Sequence, residues 1–161
     1  MLRDAAEFDG KKYSIEWFAG APLPSGERAT QVSGVCFTHS GEIVLVSGDG
    51  AIWGLPGGHP ETGESPEDAL RREVREEARC EVERAEYLGY QKCIPEGGGK
   101  PDFQLRFWCA VTVGDFQPRH EIGYRKLVSA DDFLKTLSWG ASPIAKDLAR
   151  LAGECMNRYL M

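Results

Sequence analysis

Three glutamates crowd into one turn of a predicted helix, and no other feature constrains the fold and function of this chain as strongly. Glu73, Glu76 and Glu77 lie in the segment "SPEDALRREVREEARC", which opens with a serine cap, a proline and two acidic residues, as helices often do. The pattern predicts a helix from about Pro66 to Arg79. Like charges three or four residues apart on a helix repel by about 0.2–0.5 kcal/mol per pair. The segment therefore needs cations nearby to offset this repulsion.

A helical period of 100° per residue separates a buried stripe from the acidic face of this helix. The buried stripe is predicted at Leu70, Val74 and Ala78. The glutamates fall on the adjoining face, beside the Gly57–Gly58 turn. One interpretation is a solvated face with salt bridges to neighbouring arginines. The other is a hard divalent cation such as Mg²⁺, which binds a few carboxylates and leaves positions for water and phosphates. The helix alone leaves both open.

Size, charge and cysteine usage limit the class of protein. The chain has 161 residues, which predicts one domain over 1–161, and its net charge of −6 argues against nucleic acid or membrane partners. A polyanionic small molecule would need a cation between itself and the protein. The start "MLRDAAEFDGKK" has no apolar core and no apolar run is long enough for a membrane span, so a cytoplasmic location is expected. Five scattered cysteines fit a reducing compartment.

The pattern of strands and helices predicts a mixed sheet covered by helices, of class α/β or α+β. Strands are predicted at residues 11–20, 30–38, 42–48, 50–55, 81–94, 102–113 and 124–129. Helices are predicted at residues 66–79, 129–137 and 142–160. In the strand "DFQLRFWCAVTV", period-two alternation places Gln104, Arg106 and Trp108 on one face and an apolar row beginning with Phe103 on the other.

The loop before the acidic helix decides between the two interpretations. Gly58, Glu64 and the run "REVREE" from Arg72 to Glu77 match the pattern G-x5-E-x7-R-E-U-x-E-E-x-G-U, in which U is aliphatic. This pattern is the Nudix box, so the chain resembles the Nudix hydrolases. Arg79 departs from it, because the family has glycine there, and Cys80 takes the next aliphatic position. Either Arg79 adopts the left-handed conformation that suits glycine, at a cost of about 1–2 kcal/mol, or the helix ends by another geometry.

The resemblance implies a fold, a reaction and a metal. It implies an α/β/α sandwich with a mixed β-sheet over most of residues 11–155. The implied reaction is Mg²⁺-dependent cleavage of a nucleoside diphosphate linked to another moiety, with Mn²⁺ as an alternative ion. A nucleoside triphosphate, an ADP-ribose-like compound and a nucleotide sugar all remain open as substrates, and a homodimer is one option for the oligomeric state. By position in the box, the implied metal ligands are the Gly58 carbonyl, Glu73, Glu76 and Glu77, while Arg72 and Glu64 orient the loop and helix.

The box pattern does not fix the general base or the substrate-binding residues. For the general base we consider Glu76, Glu77 and Glu121, the last of which resembles an extra glutamate that some members use; Glu96 is a competitor. For the substrate we consider Arg106 as a phosphate contact and Trp53 as a stacking surface, although strand aromatics more often belong to the core. His59, within the box loop, is either a phosphate contact or solvent-exposed. The alternative function is a Nudix-like sensor that binds a nucleotide without hydrolysing it; the intact glutamate set argues against it.

Overall fold

One mixed β-sheet organises the chain, and the computed structural model describes residues 1–117 and 123–161 of it. The strands are β1 (Leu2–Phe8), β2 (Lys11–Ala19), β3 (Gln31–Phe37), β4 (Ile43–Ser47), β5 (Gly57–Gly58), β6 (Cys80–Pro95), β7 (Asp102–Val113) and β8 (Tyr124–Val128). The helices are α1 (Pro66–Glu73), followed by a π-helical turn (Val74–Ala78), α2 (Ala130–Thr136) and α3 (Pro143–Leu160). The order of strands across the sheet is β1-β2-β6-β7-β3-β4-β8, and β5 pairs with β3.

The central strands β3 and β7 are the parallel pair of this sheet, while the other named strand pairs are antiparallel. Their register places Ser33 opposite Arg106, and β5 places Gly57 opposite the same Ser33. Gly57, Ser33 and Arg106 thus lie in a row across three neighbouring strands. This row connects the box loop to the middle of the sheet.

Helices cover both faces of the sheet and divide the core into two clusters. On one face, α1 and the π-helical turn bury Leu70, Val74 and Ala78, each fully, as the helical period predicts. On the other face, α2 and α3 pack over a cluster that contains Trp17 and Trp108. The mixed sheet between two helical layers confirms the predicted α/β/α sandwich. Among the described residues, no helix is long and apolar enough to span a membrane.

Three elements differ from the sequence-based prediction. The strand β1, at the sheet edge, was not predicted. Most of its residues are exposed, so its sequence lacks the alternation of apolar and polar residues that predicts a half-buried strand. Residues 50–55 were predicted as a strand, which is wrong: they form bends and two isolated bridges, from Gly54 to Val46 and from Trp53 to Leu137. The helix predicted to run to Arg79 is α-helical only to Glu73 and then widens into the π-helical turn. The five cysteines are unpaired and buried, as expected of small core residues.

Candidate active site

The helix that carries the box starts where the sequence predicts and points its acidic face at the β5 loop. The Ser65 side chain accepts a hydrogen bond from the Asp68 N–H at 3.1 Å, and Pro66 occupies the first turn. Arg71 extends along the helix to donate to the Val82 carbonyl at 2.6 Å, which ties the helix to β6. Because the stripe led by Leu70 is anchored in the core, the charged residues are held against Gly57 and Gly58 rather than left free in solvent.

The helix ends in two unusual geometries at once. The π-helical turn Val74–Ala78 has the wide spacing that is rare in proteins and common near functional sites. It is followed by Arg79 in the left-handed conformation, with φ 56° and ψ 41°. Both alternatives raised by the missing box glycine therefore occur: the helix changes geometry, and Arg79 accepts the conformation that glycine adopts more cheaply. The Nε of Arg79 is also buried without a hydrogen-bond partner in the described part of the chain.

We expect Arg79→Gly to raise the free energy of unfolding by about 0.5–1 kcal/mol, because relief of left-handed strain exceeds the entropy that glycine loses on folding. Urea denaturation of both proteins measures the difference. Arg79→Ala is the matched control, since it removes the same side chain and keeps the strain. An equal gain in Arg79→Ala would show that the buried guanidinium, not the backbone, is the source of the cost.

Because Gly58 has no side chain, the Glu73 carboxylate can approach the loop backbone. A Cβ atom placed on Gly58 would lie 2.4–2.6 Å from the carboxylate of Glu73, far inside contact distance. The neighbouring Gly57 donates its backbone N–H to Glu77 Oε1 at 2.9 Å. Helix and loop are therefore in direct contact through two carboxylates. The structure brings together three of the four predicted metal ligands, Gly58, Glu73 and Glu77, around this turn.

Arg72 is the cation that offsets the crowded carboxylates. Its Nε and Nη2 donate to the two oxygens of Glu64 at 2.8 and 2.9 Å, a bidentate pair that closes the loop onto the helix. Its Nη1 donates to Glu73 Oε1 at 2.8 Å and to Glu76 Oε2 at 3.3 Å. Its Nη2 also reaches the His59 carbonyl at 3.2 Å. One guanidinium thus joins two metal-ligand candidates to the loop, and its contacts with Glu64 and Glu73 raise the pKa of Arg72.

Arg72 donates two hydrogen bonds to Glu64. This guanidinium lowers the pKa of Glu64 from 4.5 to about 2. A lowered folded-state pKa means that the contribution of Glu64 to stability is complete above about pH 4.5 and is lost as the pH falls towards 2. We therefore expect the stability difference between the wild type and Glu64→Gln to be constant between about pH 7 and 5.5 and smaller at about pH 3. Urea denaturation at the three pH values measures it. A difference that grows on acidification would contradict the pairing.

The residues present fit a hard divalent cation, although the described residues form no ready-made cage. Among residues 1–117 and 123–161, no three Asp, Glu, His or Cys side chains already converge on a metal-binding position. The carboxylates of Glu73 and Glu76 nevertheless lie within 3.3 Å of the same Arg72 nitrogen, so both already face one cationic centre. Glu76 is 56% exposed, which leaves it free to turn towards a metal. Carboxylate and carbonyl oxygens are the donors that Mg²⁺ prefers.

A cavity of about 720 Å³ opens next to this cluster. The β1–β2 hairpin, β3, β6, β7, the box loop and the start of α3 line it. His59 connects the two features. It lines the cavity, its Nδ1 donates to the Thr30 carbonyl at 2.6 Å, and its own carbonyl accepts a hydrogen bond from Arg72. A cavity of this volume suits a nucleotide-sized ligand.

The structure separates the two predicted substrate residues. Arg106 lines the cavity and is 7% exposed. Trp53 is not among the cavity residues: it packs against the core cluster that contains Trp108, with the Lys126 ammonium 4.6 Å from its ring centroid. Glu121, a candidate for the general base, lies outside the described residues, and Glu96 lies at the turn after β6, where its N–H binds the Lys12 carbonyl.

Sequence reasoning missed several residues of the cavity. They are Gln31, Gln91, Gln104 and Trp139. Gln104 shares a strand face with Arg106, and this signal was available in the alternation of β7. Gln31 and Gln91 come from β3 and β6, and the pairing of these strands with β7 places them beside Gln104. Trp139 comes from the segment before α3.

Comparisons with known proteins agree with this geometry. The model of the NUDIX domain matches residues 27–148. A pyrophosphohydrolase from Bacillus subtilis is 18% identical, with a TM-score of 0.76, and the alignment covers 96% of this chain and 98% of that one. A putative nudix hydrolase family member from Chromobacterium violaceum is 26% identical, with a TM-score of 0.59 and coverages of 86% and 91%. An ADP-ribose pyrophosphatase from Streptococcus suis is 24% identical, with a TM-score of 0.55 and coverages of 79% and 92%. The sequence matches none of the curated proteins with which it was compared.

A mixed sheet between helical layers, with a glycine turn held to an acidic helix by one arginine, defines a Nudix-type hydrolase. The chain belongs to the NUDIX domain family, whose model spans most of its length. The predicted family, fold class and class of enzyme are thus confirmed, even though Arg79 replaces the box glycine.

Proposed function

We propose that the chain is a pyrophosphohydrolase, dependent on Mg²⁺ or Mn²⁺, that cleaves a nucleoside diphosphate linked to another moiety. The observation that carries the proposal is the cluster around Arg72, which joins Glu64, Glu73 and Glu76 at the Gly57–Gly58 turn. The cavity beside it supports a nucleotide-derived substrate of small-molecule size. The similar structures are described as a pyrophosphohydrolase, a UDP-X diphosphatase and an ADP-ribose pyrophosphatase, which supports the reaction class.

The proposed metal ligands are Glu73, Glu76, Glu77 and the Gly58 carbonyl. When bound there, a divalent cation would neutralise the diphosphate and lower the pKa of a bound water. Arg72 acts through the carboxylates: it fixes Glu73 and Glu76 and keeps the loop against the helix through Glu64. Such fixed positions reduce the entropy that the reacting groups must lose on the way to the transition state.

The proton of the attacking water needs an acceptor. Glu76 and Glu77 are proposed for this role because they belong to the cluster, and Glu121 stays a prediction. A carboxylate acts as a base only if it lies within hydrogen-bond reach of the water, directly or through one further water. Glu76 is the best placed of the described candidates, because it is exposed and only one of its oxygens is bound, and weakly, by Arg72.

The test of the function is a Mg²⁺ titration with a panel of substrates. We expect at least one substrate of the panel to be cleaved at a phosphoric anhydride bond, with a rate that rises with Mg²⁺ and is abolished by EDTA. A nucleoside triphosphate would give pyrophosphate and a nucleoside monophosphate, whereas an ADP-ribose-like compound or a nucleotide sugar would give a nucleoside monophosphate and a phosphorylated sugar, and mass spectrometry identifies the products. Binding of nucleotides without any release across the panel would contradict the proposal and favour the sensor. A cytoplasmic location stays a prediction from the unpaired cysteines.

A further inference from the structure

The floor of the cavity holds a buried guanidinium whose hydrogen bonds go to neutral oxygens. Arg106 Nε donates to Gln91 Oε1 at 2.9 Å, and Nη2 donates to Gln104 Oε1 at 2.8 Å. Nη1 donates to Ser33 Oγ at 2.7 Å and to Gln31 Oε1 at 3.3 Å. Burial lowers the pKa of Arg106 to about 10, and within residues 1–117 and 123–161 no carboxylate counteracts this shift. Four bonds from five N–H groups leave one Nη2 hydrogen for a ligand.

The arginine also fixes the polarity of the three glutamines. Since a guanidinium only donates, each of these amides must turn its oxygen towards Arg106. What each amide then has to offer a ligand is its NH₂ group, a pair of donors. Gln31, Gln91 and Gln104 all line the cavity. Together with Arg106 they form a surface that offers donors, which we call the donor floor.

The cavity lining also contains hydrogen-bond acceptors. Asp4, Glu7 and Asp102 line it and supply carboxylate acceptors. Three carboxylates outnumber the one guanidinium, so the cavity as a whole disfavours a highly charged phosphate. Trp139 and Tyr13 also line it, and the Arg106 guanidinium lies 5.6 Å from the Trp139 ring centroid. Aromatic side chains together with donors and acceptors in one cavity suit a nucleobase.

The register of the sheet sets the distance from the donor floor to the box. Gly57, Ser33 and Arg106 are neighbours across β5, β3 and β7. Two strand spacings place the backbone of Arg106 about 10 Å from that of Gly57. A nucleotide extends over a similar length from its base to its phosphates. A diphosphate at the carboxylate cluster is therefore compatible with a base at Arg106.

We propose, on the basis of the proposed function, that the donor floor selects a 6-oxopurine over adenine. Guanine presents O6 and N7 as acceptors on one edge, which match the free Nη2 hydrogen and the amide NH₂ groups. Its N1–H and amino group match acceptors such as the carboxylates that line the same cavity. Adenine would turn its N6 amino group towards donors, and two facing donors leave buried hydrogens without acceptors. Arg106 and the three glutamines are then residues that determine specificity.

Isothermal titration calorimetry with GMP, IMP and AMP, without divalent cations, tests the proposal independently of catalysis. We expect GMP to bind about tenfold more tightly than AMP, with IMP between them because it lacks the 2-amino group. Equal or tighter binding of AMP, or no binding of any of the three at about 1 mM, would overturn the proposal. So would displacement of GMP by inorganic phosphate alone, which would make Arg106 an anion site. Failure of hydrolysis with intact GMP preference would instead contradict only the proposed function.

Gln104→Glu tests whether Gln104 binds the base through its NH₂ group or only accepts a hydrogen bond from Arg106. A glutamate accepts hydrogen bonds from Arg106 at least as well as the amide does, but it has no NH₂ group to offer. We expect the GMP-to-AMP preference to fall about tenfold in this variant, with the thermal melting temperature retained. Gln117→Glu, an exposed residue away from the cavity lining, is the control for added charge and should keep the preference. An unchanged preference in Gln104→Glu would show that Gln104 only supports the arginine.

Discussion

Glu73→Gln and Glu76→Gln are each expected to lower kcat by about 100-fold or more, because several kcal/mol of transition-state stabilisation depend on the metal that these carboxylates would bind. Glutamine keeps an oxygen for Arg72, so the bonds of 2.8 and 3.3 Å that hold the cluster can persist. The loss should therefore appear in turnover more than in stability. Steady-state kinetics of Mg²⁺-dependent product release, with urea denaturation alongside, measures both.

Glu67→Gln is the matched control for these variants. Glu67 lies on the same helix and is half exposed, but it pairs with Arg71, away from the cluster. We expect its kcat to stay within about twofold of the wild type, since an exposed ion pair contributes little. If all three substitutions reduced turnover equally, the helix as a whole, rather than its metal-facing carboxylates, would be responsible.

Gly58→Ala is expected to lower kcat by about 100-fold through displacement of Glu73. The new Cβ would lie 2.4 Å from the carboxylate carbon of Glu73, so that side chain must move. A shift of about 1 Å in a catalytic group can cost a factor of 100. Because the clash is relieved by movement of the Glu73 carboxylate and not of the backbone, we expect only about 1 kcal/mol of destabilisation.

Gly54→Ala is the control for Gly58→Ala, since a Cβ at Gly54 meets nothing within 4 Å. Kinetics and denaturation of the two variants, measured together, separate the local clash from the general effect of replacing a loop glycine. A near-normal kcat in Gly58→Ala would mean that Glu73 can relocate without loss, and its assignment as a metal ligand would fail.

Groups of the chain itself offset the repulsion among the box glutamates, without a metal ion. Arg72 satisfies Glu73 and Glu76 together, and the Gly57 N–H satisfies Glu77. The solvated-face interpretation was therefore right that arginine takes part. It was incomplete, because the cation contacts the loop as well as the helix and brings the candidate ligands to one turn.

Sequence patterns predicted the parts of this molecule that follow local rules. The cap predicted at Ser65 accepts a backbone hydrogen bond from Asp68. The β7 alternation predicted opposite faces for Phe103 and Trp108, and these residues lie in the two different core clusters. The Arg72–Glu64 contact agrees with the orienting role that the resemblance implies for both residues.

What local rules could not predict depends on pairing between distant segments. The π-helical turn does not differ in composition from an ordinary helix, and the left-handed Arg79 follows it directly. The donor floor needs β3, β6 and β7 in register, which places Gln31 and Gln91 beside Arg106. Trp53 has the appearance of a stacking residue in the sequence, but its neighbours are Leu137 and Lys126.

Manganese binding tests the central assignment most directly, because it requires no knowledge of the substrate. Electron paramagnetic resonance of free Mn²⁺ during a titration measures the dissociation constant of the wild type and of the Glu73→Gln/Glu76→Gln double variant. We predict that the wild type binds Mn²⁺ and that the double variant binds it at least about tenfold more weakly while remaining folded. Equal affinity in the two proteins, or no binding by the wild type, would contradict the assignment of these carboxylates as the metal site.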